Sequence, residues 1–110
     1  MKTLQNNFTT PEQSKRLLEL GVPRCTADEY RDKKGFRHSL EGILDVELYF
    51  QNFPECTPCW SVGQLMEIYR ICRDGALPAN FISRKQTILD FYLQAYEDNI
   101  DRFDFSKLEE

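Results

Sequence analysis

Apolar residues recur at helical spacing in three stretches of the chain and alternate in a fourth. In the first stretch Leu17, Leu18 and Leu20 sit among charged residues and are framed by start and stop signals. Thr10 with Gln13 makes a capping box, and Pro11 takes the first helical position, where its missing N–H costs nothing. Gly21 can turn left-handed, Val22 can fold back on Leu17 and Pro23 prevents continuation. A helix over about Pro11–Leu20 follows, too short to be stable alone, so its leucines must dock on something.

The second stretch opens on Trp60-Ser61, with Ser61 at the cap, Gln64 three residues on, and Trp60 placed to staple against Leu65. It runs to about Asp74, with Gly75 as terminator and Pro78 beyond. At 100° per residue, Val62, Leu65, Met66, Ile68, Tyr69, Ile71 and Cys72 cover an arc of roughly 220°. A helix apolar on that much of its circumference is covered from two sides, which makes this one the centre of the core. A third helix is predicted from Ser83, where Ser-Arg-Lys-Gln forms another capping box. Its apolar side carries Ile88, Leu89, Phe91, Tyr92, Leu93, Ala95, Tyr96 and Ile100, while Asp90, Gln94, Glu97 and Asp101 form an acidic stripe opposite. Asp104 to Glu110 are expected to fray.

The alternating stretch is Asp45–Phe50, with Val46, Leu48 and Phe50 on one side, the pattern of a half-buried strand. A partner strand is expected from Asp28–Arg31 or Phe36–Leu40, turning through Lys33-Lys34-Gly35; a short helix within Ser39–Phe53 is the rival reading. The sum is one α+β domain over residues 1–110, three helices arranged around the central Trp60–Gly75 rod with a small antiparallel hairpin; an all-α bundle is the alternative.

Composition agrees with a globular core: 110 residues, 41% apolar and 29% charged. A chain this long buries enough surface to fold without metal or disulfide staples. Net charge is −4, and its distribution is uneven: residues 1–89 carry 12 basic and 11 acidic groups, residues 90–110 carry 2 and 7. That balance argues against duplex binding, which rests on a basic excess. No stretch approaches the ~18 apolar residues of a membrane span, and Met1–Asn7 has no apolar signal core, so a cytoplasmic address is expected.

Three segments are specific as strings: Asn6-Asn7-Phe8-Thr9-Thr10-Pro11-Glu12-Gln13 continuing to Pro23, Pro58-Cys59-Trp60-Ser61-Val62-Gly63-Gln64-Leu65 continuing to Tyr69, and the ending Phe103 to Glu110. Together they resemble a family of short proteins of Bacteroides-type gut bacteria. The resemblance implies a bacterial cytoplasmic accessory protein, similar to cargo of mobile elements, and transfers no catalytic or binding residue.

The sharpest chemical signal is Cys56-Thr57-Pro58-Cys59 just before a helix start, a setting that lowers a thiol's pKa. It suggests a redox pair, although the βαβ context of thioredoxin-like sites is missing. Cys25, Cys56, Cys59 and Cys72 are enough thiolates for a structural zinc, but only one CxxC knuckle is present. The bland reading is reduced thiols with Cys72 in the core. His38, the only histidine, reads as a surface side chain, with a nucleophile pair with Cys59 as the sharper option. Arg24, Arg31, Lys33, Lys34, Arg37 and His38 form a basic loop region that could pair with the acidic third helix. Phe103 and Phe105 lie in an acidic tail and are either folded onto the core, the favoured option, or held for a partner. The functional expectation is a non-enzymatic protein-binding or regulatory module without a cofactor, acting on another protein or its own copy through Asp90, Glu97, Asp101, Phe103 and Phe105. A thiol-redox or structural zinc protein is the competing class.

Overall fold

The computed structural model describes residues 8–76, 78 and 87–109. Helix α1 (Pro11–Glu19) begins as its framing residues dictate, with both halves of the Thr10–Gln13 capping box formed. Its stop is Gly21, at φ +98°, from which the Val22 N–H reaches back to the Leu17 carbonyl at 3.1 Å. Leu17 is fully buried.

A short 3-10 turn (Arg24–Thr26) leads into strand β1 (Glu29–Arg31), which pairs antiparallel with β2 (Arg37–Ser39) through the expected Lys33–Gly35 turn. The Asp45–Phe50 stretch corrects the strand expectation. It lies in helix α2 (Val46–Asn52), capped by the Asp45 side chain, which accepts from the Leu48 N–H. Val46 and Phe50 share a side at i, i+4 in a helix as they do at even spacing in a strand. Leu48 separates the two readings: it stands outside the core, 49% exposed, while Phe50 is buried.

The third strand is the CxxC segment itself. Strand β3 (Thr57–Cys59) pairs antiparallel with β1, giving the sheet order β2-β1-β3 rather than a lone hairpin. Pro58 fits there for a backbone reason. Hydrogen bonds from Asp32 to Phe36 and from Leu40 to Asp28 set the phase of the hairpin, turning the Tyr30 amide towards β2. Pro58, opposite Tyr30, therefore occupies a position where no N–H is needed.

Helix α3 (Val62–Cys72) starts at Ser61, whose hydroxyl accepts from the Gln64 N–H. The expected box is not closed, since the Gln64 amide instead donates to the Thr26 carbonyl at 2.6 Å. Leu65, Ile68, Tyr69 and Cys72 are buried, Ile71 is half-buried and Met66 is 44% exposed, so the fully buried arc is narrower than the apolar one. Helix α4 (Ile88–Asn99) packs on α3 and buries Leu89, Phe91, Tyr92, Ala95 and Tyr96. Its cap is Thr87; the box expected at Ser83 lies outside the described residues. The result is an α+β fold with four α-helices and three strands among the described residues. The expected fraying of the end is also corrected. A 3-10 turn at Ile100–Arg102 and another at Phe105–Glu109 bring the chain back over α3, with the Asp104 N–H donating to the Cys72 carbonyl at 3.1 Å and Lys107 paired with Asp74.

Candidate functional site

Alternation along the strands sorts the chemically interesting side chains onto two faces of the sheet. Tyr30, His38 and Pro58 are register partners on one face, and Glu29, Arg31, Arg37, Ser39, Thr57 and Cys59 lie on the other.

On the second face Cys59 is sealed. Its thiol donates to the Thr9 carbonyl at 3.4 Å, and the Thr9 hydroxyl bonds Ser14 at 2.7 Å and accepts from the Trp60 N–H at 3.0 Å. Thr9, Ser14, Cys59 and Trp60 are all fully buried. Burial pushes the Cys59 thiol above its ordinary pKa, with nearby Arg31 opposing the shift. Cys56 belongs to the other side, near Tyr49 and Asp32, and burial again raises its pKa, aided by Glu55. The strand between them spans roughly 10 Å of extended chain, more than the Cα separation of about 7 Å that a disulfide tolerates. The expected redox pair is therefore not assembled. Nor are the four cysteines gathered for zinc: Cys25 is exposed, Cys72 is buried in α3, and among the described residues no three His, Cys, Asp or Glu side chains converge to hold a metal. His38 and Cys59 lie on opposite faces, so the nucleophile pair is not formed either.

The first face carries a connected row of rings, of which the His38–Tyr30 pair is stacked and the others are tilted. His38 stacks on Tyr30 with centroids 5.0 Å apart, Tyr30 meets Tyr49 of α2 at 5.1 Å, and Tyr49 meets Phe53 at 4.8 Å. Hydrogen bonding to Tyr30, and then burial, raises the Tyr49 hydroxyl far above the ordinary tyrosine range. At the open end His38 Nε2 lies 2.8 Å from Asp32, whose carboxyl is held below its usual pKa chiefly by that bond. The exposed large apolar side chains of the hairpin, of α2 and of the residues flanking α2 are Phe36 at 66%, Leu44 fully, and Leu48 and Phe53 at close to half. The cleft beside Cys56, about 440 Å³, is lined by Lys15, Leu18, Arg24, Phe50 and prolines, and holds neither histidine nor carboxylate.

The residues singled out from the sequence are distributed differently. Asp90, Glu97 and Asp101 are exposed, the first two on α4 and the third in the turn after it. Glu97 is bonded to Arg16 of α1 at 2.7 Å, so the acidic helix finds its cation there and not in the basic loop. The loop's own charges are used locally: Arg24 grips Glu47, Arg31 donates to the Thr9 carbonyl, and Arg37 lies 3.5 Å from Glu29 and over the Phe8 ring. Phe103 and Phe105 are not held out for a partner. Phe103 meets Tyr96 at 4.9 Å and Tyr69 at 5.2 Å, and Phe105 follows at 5.6 Å. The ring stack escaped sequence reasoning because its members come from two strands and a helix. The available signal was Tyr49 and Phe53 at i, i+4 behind the Asp45 cap. Family models, curated proteins and solved structures were all searched, and none matches this chain.

The thiols give a pH test. Burial, with Asp104 adding to it, pushes Cys72 up to about 11. A raised folded-state pKa contributes stability that is complete below the unfolded value, about 8.5, and is lost as pH rises towards the folded one. Urea unfolding is therefore expected to show stability falling from about pH 9 to 11, and Cys72→Ala to flatten that slope. For the same reason, Ellman's reagent at neutral pH should label Cys56, Cys59 and Cys72 more slowly than free cysteine. A fast-reacting thiol among the three would contradict this.

Proposed function

We propose that this chain is a non-enzymatic protein-binding module whose interaction surface is the hairpin–α2 side. The observation that carries the reading is that four of the seven exposed large apolar side chains among the described residues, Phe36, Leu44, Leu48 and Phe53, fall in the single stretch 36–53, which also supplies His38, Tyr49 and Phe53 to the row of rings. Exposed apolar side chains grouped in one region mark interaction sites, and rings already fixed against each other lose little entropy when a partner covers them. Two contacts support placing the surface away from the tail: Phe103 and Phe105 pack against the core, and Glu97 is bonded to Arg16. No helix is long and apolar enough to cross a membrane among the described residues. Thiols without a disulfide among those residues suit a reducing cytoplasm, in keeping with the bacterial accessory role that the sequence resemblance implies.

The test is a photo-cross-linking amino acid placed at Leu48 and, separately, at Gln94 on the acidic side of α4, with irradiation in growing cells. A discrete adduct from the Leu48 position and none from the Gln94 position is the expected result. Adducts from Gln94 alone would transfer the interface to the acidic face, and none from either would end the binding reading.

A further inference from the structure

Strand β2 is an edge of the sheet, and all three of its residues are exposed. The phase of the hairpin gives that edge a definite pattern. Phe36 and Leu40 are bonded inward to Asp32 and Asp28, so alternation turns His38 inward and the amide groups of Arg37 and Ser39 outward. Edge strands are normally blunted by charge, prolines or bulges. Here the single cation on β2, Arg37, is already matched by Glu29 on the neighbouring strand.

Resting on the binding reading above, we infer that the partner at this edge is a second copy of the chain, its β2 added antiparallel about a twofold axis through His38. Only residues whose amides point outward can make the bridging bonds, and with the axis at His38 each Arg37 faces the other copy's Ser39 as a bonded pair. The two His38 residues then form a close, non-bonded pair, with Cα atoms about 4.5 Å apart. Three features fit this register. The row of rings Phe53–Tyr49–Tyr30–His38 ends at β2, and its His38–Tyr30 spacing of 5.0 Å is nearly the separation of neighbouring strands, so the second copy's His38 arrives at the spacing that continues the row. Phe36 comes to lie opposite Leu40 and next to the loop bearing Leu44, covering the two most exposed large apolar side chains among the described residues. The Lys33–Lys34 turn of each copy arrives beside Glu41 of the other, so the ends of the new ladder carry opposite charges.

Sedimentation velocity over a hundredfold range of concentration should show monomer converting to dimer. Ser39→Pro removes an outward N–H that β1 does not use, and Phe36→Glu puts a charge on an exposed side chain; each should weaken the dimer at least tenfold. Circular dichroism and Trp60 fluorescence should match the parent, and if Ser39→Pro perturbs the fold, Phe36→Glu decides. The register has its own readout. Mild oxidation of His38→Cys should give a covalent dimer, because the new thiols face each other within disulfide reach, whereas Ser39→Cys should not exceed the parent protein's background. A monomer at every concentration overturns the inference, as does a dimer indifferent to both edge variants. If the Leu48 cross-links to other proteins survive, that failure touches only the partner's identity; if they too are absent, the binding reading fails with it.

Discussion

Replacing Trp60 by alanine is expected to lower the unfolding free energy by about 3–5 kcal/mol. Trp60 is fully buried between β3 and α3, bonded to Thr9 through its backbone N–H and to Thr26 through its indole. Its indole N–H donates to the Thr26 hydroxyl at 3.0 Å, and that hydroxyl donates to the Pro23 carbonyl at 2.6 Å. Alanine leaves a cavity that the surrounding helices cannot fill by collapse, and Thr26 loses its donor. Stability of a small domain totals roughly 5–15 kcal/mol, so the loss takes about a fifth of it at the least. Urea denaturation followed by circular dichroism measures it, since the variant lacks the chain's only tryptophan. Trp60→Phe should recover more than half. A loss under about 1 kcal/mol for the alanine variant would mean the site is not the packing centre drawn here.

The second large effect belongs to Thr9. Thr9→Val is nearly the same shape but leaves the fully buried Ser14 hydroxyl and the Trp60 N–H without their shared partner. Each stranded group costs about 1–3 kcal/mol, so a total of about 2–6 kcal/mol is expected. Thr9→Ser keeps the hydroxyl and removes one methyl, a loss near 0.8 kcal/mol. Equal losses for the two variants would show that Thr9 acts by packing and not through its hydroxyl.

What the sequence disclosed and what it withheld follow from the range of the forces involved. α1 and α3 were legible because their ends are set by neighbours within four residues: Thr10, Gln13 and Gly21 for one, Ser61 and Gly75 for the other. The Lys33–Gly35 turn was legible for the same reason. α2 was misread because a seven-residue helix gives its apolar pattern too little length to distinguish a period of 3.6 from one of 2. β3 was not legible at all. A strand with proline at its centre contradicts strand propensity, and only pairing with β1, more than twenty residues away in sequence, explains it. That same pairing is why the local motif CxxC pointed to chemistry that the sheet then divided between its two faces.

The bond from the Trp60 amide to the Thr9 side chain joins positions 51 residues apart. During synthesis on the ribosome at about 5–20 residues per second, Trp60 follows Thr9 by about 3–10 seconds. For that interval α1, with Ser14 and Leu17 on its buried side, has no surface to settle on. A nine-residue helix is not stable alone, so this apolar stretch of the nascent chain stays unfolded and open to chaperones and proteases until the strand and α3 arrive.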